Sequence, residues 1–226
     1  ASTATSKRHL AVLGGAYADG IPLRPYIPEA SGNDALVVLP GADPERTARA
    51  AALGGYANAG QLCMSAKRMV VDRRVWPQLR PHLEAAVAGI VVGDPDDEAT
   101  DIGPVVDGPA RRRAVAAHAE ALAAGARVVA GGRIDDAHFV PTLLELPRDR
   151  LGDLVLWREE VFAPLRSVVI CDGAADALAL ANDTPYGLGA AVFGGTRTDR
   201  ELLVAGLRAA RVVLDEGPLY QDPHLV

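Results

Sequence analysis

The sequence is poor in several residue types, and each shortage excludes something. Its 226 residues hold two cysteines, two methionines, two tryptophans and 4% aromatics. Two thiols, Cys63 and Cys171, are too few for the disulfide framework of a secreted scaffold. No stretch approaches the roughly 18 consecutive apolar residues of a membrane span. The opening ASTATSKRHL has no apolar core of a signal peptide, so free thiols in a reducing, cytoplasmic setting are the expectation. Positive charge is also short. Lys and Arg number 23 against 29 Asp and Glu, a net charge of −6, whereas a protein that tracks phosphates presents a basic face. Neither nucleic acid nor membrane is therefore expected as a partner. The five histidines are scattered (His9, His82, His118, His138, His224) without HxxxH spacing, and no CxxC occurs, so no metal site is expected. The sequence also lacks G-x-S-x-G, a Walker motif and a strand-linked G-x-G-x-x-G. That weighs against a serine hydrolase, a P-loop enzyme and a self-contained dinucleotide binder.

What is present is a foldable core. Hydrophobic residues make up 49% of the chain, which excludes disorder. The length suits one large domain, or one domain with an appendage. Short apolar runs at 35–40 (ALVVLP), 68–71, 127–130, 167–171, 190–193 and 212–214 read as strands. Between them, helical patterns cover 44–58, 75–89, 110–124, 174–182 and 199–210. Asp43 before Pro44 has the form of an N-cap with proline at the first helical position, and Gly125 that of a helix stop. Residues 139–145 are extended, but Pro141 argues for a sheet edge or a connection. GDPDDEATDIGP reads as a long surface loop. Continuous apolar strands alternating with helices predict βαβ units and a parallel sheet.

Among reactive side chains, Cys63 stands apart. It lies in NAGQLCMSAKR, among small and polar residues, between a helix and a strand. Cys171 lies in the apolar run VVICD, the setting of a structural thiol. Nucleophilic work needs a local feature that favours thiolate. Loop amides could supply it, as could Lys67 and Arg68 if they face the sulfur. His82 and His118 fall in helices as surface or hydrogen-bonded residues. On local grounds alone, Glu159 and Glu160 fit a solvated turn, and Glu29 carries no distinguishing signal.

Resemblance changes these readings. NAGQLCMSAKRMVV resembles the active-site signature of the aldehyde dehydrogenases, N-x-G-Q-x-C followed by a basic position and a strand. GDPDDEATDIGPVV, FVPTLL, REEVFAPLRSV and ANDTPYGLGAAVF resemble further motifs of that family, in the same order. IPEASGND is similar to its E-L-G-G stretch. The resemblance implies an α/β fold, a three-layer α/β/α domain with a mostly parallel, doubly wound sheet. It implies NAD or NADP as cofactor and a small aldehyde as substrate. Cys63 would be the nucleophile, passing through a thiohemiacetal and a thioester, with its own backbone N–H in the oxyanion site. Glu29, at the family's usual separation from the cysteine, would be the base that activates water. Glu160 would hold the nicotinamide ribose, Phe162 would pack beside the nicotinamide, and Ser2 would lie near the pyrophosphate.

Departures from the family pattern accompany the matches. Ala30-Ser31-Gly32 replaces L-G-G, Ala163 stands where glycine is usual, and Asp215 replaces an asparagine. Residues 1–31 resemble the tail of a cofactor-binding domain, and 32–226 a catalytic domain. The chain is thus expected to be the catalytic part of a larger assembly, unable to turn over with NAD alone, with room for a homo-oligomer. Two alternatives remain at this point: a non-catalytic relative serving as an assembly module, and a weak thiol esterase using Cys63 and Glu29.

Overall fold

A computed structural model describes residues 3–22, 24–134 and 139–219. It opens with helix α1 (Thr3–Ala18), an extended stretch, and then strand β1 (Asp34–Val38). Helix α2 (Pro44–Tyr56) leads into a 3₁₀ turn (Ala57–Gly60) and β2 (Ala66–Asp72). Helices α3 (Trp76–Ala88) and α4 (Gly108–Ala123) precede β3 (Arg127–Ala130) and β4 (Thr142–Glu145). The remainder is a 3₁₀ segment (Arg148–Asp153), α5 (Val155–Arg158), β5 (Leu165–Cys171), α6 (Ala174–Ala181), β6 (Gly189–Phe193), α7 (Arg197–Gly206) and β7 (Arg211–Leu214).

Among the described residues the strands form one sheet in the order β3-β4-β5-β2-β1-β6-β7. Every neighbouring pair is parallel except β3 and β4. Buried strands suit such a sheet, because helices must cover both faces. Leu36 of β1 pairs with Met69 of β2 and with Ala191 of β6, and β1, β2 and β6 are buried along their whole length. The β1–α2–β2 crossover runs toward one edge of the sheet, whereas β5–α6–β6 runs toward the other. A constant right hand therefore puts α2 and α6 on opposite faces. The packing agrees. Leu36, Met69 and Phe193 meet α2 and α3 in one core, while Val37, Val70 and Val169 meet α4, α6 and α7 in the other. This is the expected three-layer α/β/α sandwich.

Local signals account for most boundaries. Asp43 accepts from the Arg46 N–H at 2.8 Å and Pro44 opens α2. Gly125, at φ +97°, ends the turn after α4, a conformation that glycine adopts without steric cost. Two expectations need correction. The last helix runs Arg197–Gly206 rather than 199–210, because Thr196 and Asp199 form a capping box that sets its start. Strand β4 lies inside the sheet, between β3 and β5. Pro141 sits just before it, where its missing N–H costs no ladder bond. The edge on that side is β3.

Candidate active site

An open cleft of about 1240 Å³ lies at one end of the sheet. Four segments line it: Glu29–Ser31 before β1, Gln61–Cys63 before β2, Arg158–Glu160 with Phe162 before β5, and Asn182–Tyr186 before β6. Each precedes a central strand, so the cleft opens at the amino ends of the strands. Open α/β sheets more often bind ligands beyond the carboxyl ends. Ala4 of α1 and Arg113 of α4 complete the wall.

A site at this end faces the carboxyl ends of α2 and α6, which present orphan carbonyls and partial negative charge. Two buried arginines on the sheet satisfy carbonyls there, and a buried lysine holds the turn before β2. Arg166 of β5 donates to Gly55 O at 2.6 Å, to Gly60 O at 2.9 Å and to Ser65 Oγ at 2.9 Å. Its guanidinium lies 5.8 Å from the Tyr56 ring centroid. Arg68 of β2 donates to Leu180 O and Ala181 O at the end of α6, at 3.2 and 2.9 Å, and stacks 4.8 Å over Trp157. Adjacent strand residues point to opposite faces, so Lys67 turns the other way. Its ammonium donates to Leu62 O at 2.7 Å and Cys63 O at 2.8 Å.

The turn carrying Cys63 depends on this support. Asn58, Ala59 and Gly60 all have positive φ, at 53°, 54° and 71°, a left-handed run that L-residues enter singly at most. A Cβ on Gly60 would lie 2.4 Å from Ala163 O and 2.1 Å from Arg166 Nη2. The turn is also closed by Gln61, whose Nε2 donates to Asn58 O at 3.1 Å and whose Oε1 accepts from Val106 N–H at 2.7 Å. The small residues of NAGQ, first noted as the surroundings of a reactive thiol, are thus those that permit a tight reversal against a buried guanidinium.

Glu160 and the 29–32 arm meet at the same place. Glu160 Oε1 accepts from the Gly32 N–H at 3.1 Å and lies 3.3 Å from Lys67 Nζ. A Cβ on Gly32 would sit 2.3 Å from Cys63 O. Of the Ala30-Ser31-Gly32 triplet, packing thus demands glycine only at the last position. Phe162 is 36% exposed on the cleft wall, with Lys67 Nζ 6.0 Å from its ring centroid.

A sequence model of the aldehyde dehydrogenase family matches residues 6–224. The chain belongs to the aldehyde dehydrogenase family. It is 38% identical over 200 residues to the vanillin dehydrogenase of Pseudomonas fluorescens, covering 88% of this chain and 41% of that protein. The NAD-dependent benzaldehyde dehydrogenase of Pseudomonas putida is 30% identical, at 87% and 40% coverage. Among solved structures, Gox0499 superposes with a TM-score of 0.87 at 31% identity, covering 98% of this chain and 47% of that one. The aldehyde dehydrogenase KauB of Pseudomonas aeruginosa gives 0.84 at 28% identity, covering 95% and 43%. The chain spans about two fifths of the length of the curated relatives it matches.

In this aldehyde dehydrogenase chain, Cys63, Glu29, Glu160 and Phe162 share one cleft. Ser2 lies outside the described residues. Cys63 is half-buried, while Cys171 is fully buried and burial pushes its thiol up to about 12. Lys67 and Arg68 could favour thiolate only by facing the sulfur. Lys67 binds the Cys63 carbonyl, and Arg68 turns to α6 instead. Glu159 is exposed as expected for a solvated turn, but Glu160 is not. His82 is exposed, whereas His118 is buried, packed edge-on against Phe139 at 6.2 Å. Asp215, in place of the family's asparagine, adopts φ 53° and accepts from Gly194 N–H at 3.0 Å, a left-handed role that both residue types tolerate. Among the described residues no cluster of His, Cys, Asp and Glu could hold a metal, and no helix is long and apolar enough to cross a membrane.

Three participants carried no signal at the level of motifs: Arg166, Arg113 and Asp34. A charged residue inside an apolar strand was the available clue for Arg166, in LRSVVIC. Asp34 opens β1 and is buried, with Oδ1 accepting from Gly189 N–H at 3.0 Å and Oδ2 unpartnered among the described residues. Burial raises its carboxyl to about 6, against the opposing charges of Lys67, Arg211 and Arg68. A carboxyl raised in the folded state binds its proton there more tightly than in the unfolded chain. Its contribution therefore falls as pH rises from about 4 through 6, and the loss is complete above that. Asp34→Asn is expected to flatten this part of the stability profile, worth roughly 2–3 kcal/mol, as read from urea midpoints between pH 4 and 7.

Proposed function

We propose that the chain is the catalytic part of an NAD(P)-dependent aldehyde dehydrogenase that oxidises a small aldehyde to its carboxylic acid. The observation that carries this reading is the convergence of Cys63, Glu29, Glu160 and Phe162, from three separate loops, on one cleft. In the proposed division, residues 1–31 belong with the cofactor-binding part and 32–226 form the catalytic domain. The free thiols suit a reducing compartment such as the cytoplasm.

Cys63 Sγ adds to the aldehyde carbon, and the oxygen that gains charge is met by the Cys63 backbone N–H. Loss of hydride from the thiohemiacetal leaves a thioester on Cys63. Glu29, exposed in the cleft, takes a proton from water, which attacks the thioester carbon. The acid departs, and Glu29 passes the proton it took to the Sγ thiolate, whose original proton went to solvent before the addition. A half-buried carboxylate beside an exposed aromatic ring fits a ribose diol and a flat nicotinamide. Glu160 and Phe162 would hold that end of the cofactor, which supplies the hydride acceptor when bound.

p-Nitrophenyl acetate tests the acyl steps without cofactor. A burst of nitrophenolate equal to one per chain is expected, with the acetyl group on Cys63 by peptide mass spectrometry. Glu29→Gln should keep the burst and slow the following steady state by about 10²-fold, the typical size of a lost general base. An unmodified Cys63 would sink the proposal. The isolated chain is expected not to turn over with NAD, an expectation that saturable NAD binding would reverse.

A further inference from the structure

Lys67 is 3% exposed at its side chain, and Glu160 13%. An ammonium has three protons to donate, yet four oxygens surround this one. Two contacts are short, to Leu62 O at 2.7 Å and Cys63 O at 2.8 Å. Two are long, to Glu160 Oε1 at 3.3 Å and Ser65 O at 3.4 Å. The short pair fixes the carbonyls of the two peptides that flank the Cys63 Cα. The third proton is left between the carboxylate and the backbone two residues beyond the thiol. Glu160 Oε1 also takes the Gly32 N–H, and Gly32 abuts Cys63 O so closely that no side chain fits between them. Two separate routes, one through Lys67 and one through Gly32, thus connect the Glu160 carboxylate to the backbone of the nucleophile.

We propose that Lys67 is a positioning residue that couples the Glu160 carboxylate to the Cys63 turn, so that the state of that carboxylate sets the reactivity of the thiol. When Glu160 turns its charge to another partner, Lys67 shifts its third proton to Ser65 O and draws on the turn from the far side. When Glu160 is free, it holds the ammonium and the turn relaxes. Burial holds the Lys67 ammonium well below the usual lysine range, at about 8, with Arg166 adding to the effect and Glu160 and Asp34 opposing it. The link is therefore held by a cation that depends on its partners.

The inference rests on Cys63 as the nucleophile, but its test needs neither aldehyde nor cofactor. The second-order rate of Cys63 alkylation by iodoacetamide is measured in four versions of the 226-residue chain: wild type, Lys67→Met, Glu160→Gln and the double variant. Melting temperatures establish that each is folded. Lys67→Met, which keeps the stem and removes the protons, should slow alkylation by about tenfold. The effect of Glu160→Gln on the rate should shrink by at least about threefold in the Lys67→Met background, within the range of coupling between groups in contact. A lysine that merely fills space would give additive effects, and additivity overturns the proposal. Should the methionine variant fail to fold, Lys67→Gln, which keeps two N–H donors without charge, replaces it in the same cycle. A wild-type Cys63 that does not alkylate at all would overturn the nucleophile reading instead, so the two failures are distinguishable.

Discussion

Cys63→Ser is expected to reduce acylation by p-nitrophenyl acetate by about 10³-fold or more while leaving the fold intact. The reason lies in the setting of the residue. A thiol gives some anion near neutral pH and is intrinsically nucleophilic, whereas a serine hydroxyl needs an adjacent base within hydrogen-bond reach. Among the described residues no histidine lines the cleft, so the hydroxyl would lack the usual activator. Losses of this order follow when a covalent nucleophile is removed and the rest of a site is left in place. Cys63 is only half-buried, and swapping sulfur for oxygen there leaves no cavity. A melting temperature within about 2 °C of wild type is the matching expectation. A variant that keeps its burst would show that the acyl group rides on another residue.

The second large effect is structural. Arg166→Leu is expected to destabilise the fold by about 3–5 kcal/mol, the range seen when one side of a buried polar network is removed. The leucine would occupy part of the volume, but Gly55 O, Gly60 O and Ser65 Oγ would each lose a donor in a region closed to water. At about 3 °C per kcal/mol for a domain of this size, the melting temperature should fall by roughly 10 °C. The same variant should also slow Cys63 acylation even where it is folded, because Gly60 O anchors the left-handed run that presents the thiol. Thermal melts combined with burst rates at 20 °C below each melting point separate the two contributions. Unchanged stability would mean that the three acceptors find other donors.

Much of this architecture follows from the order of residues alone. ALVVLP and SVVICD are apolar without alternation, and only a strand covered on both faces uses such a run, so a parallel sheet between helices was legible. The starts of α2 and the end of α4 were written in Asp43-Pro44 and Gly125. The identity of Cys63 as the thiol worth attention was visible in its polar surroundings, and kinship strengthened it. Glu160 was different. Beside Glu159 it looks like any solvated pair, and what separates the two is which way each side chain faces after the end of α5, a matter of a single residue's register. His118 differs for the same reason, since a helix face reveals its burial only when something packs on it.

Tertiary structure alone decided that the cleft opens at the amino ends of the strands, beside helix carboxyl termini. This location gives Lys67, Arg68 and Arg166 their roles. In sequence each is one basic residue at the start of an apolar strand, and nothing local distinguishes a solvated cation from a buried one. The carbonyls they satisfy through their shorter bonds to the Cys63 turn and the helix ends are 4 to 113 positions away, from Cys63 to Ala181. Local patterns report hydrophobic periodicity, which is a property of neighbours in the chain. Hydrogen bonding to an orphaned helix end is a property of neighbours in space, and only the folded sheet brings these together.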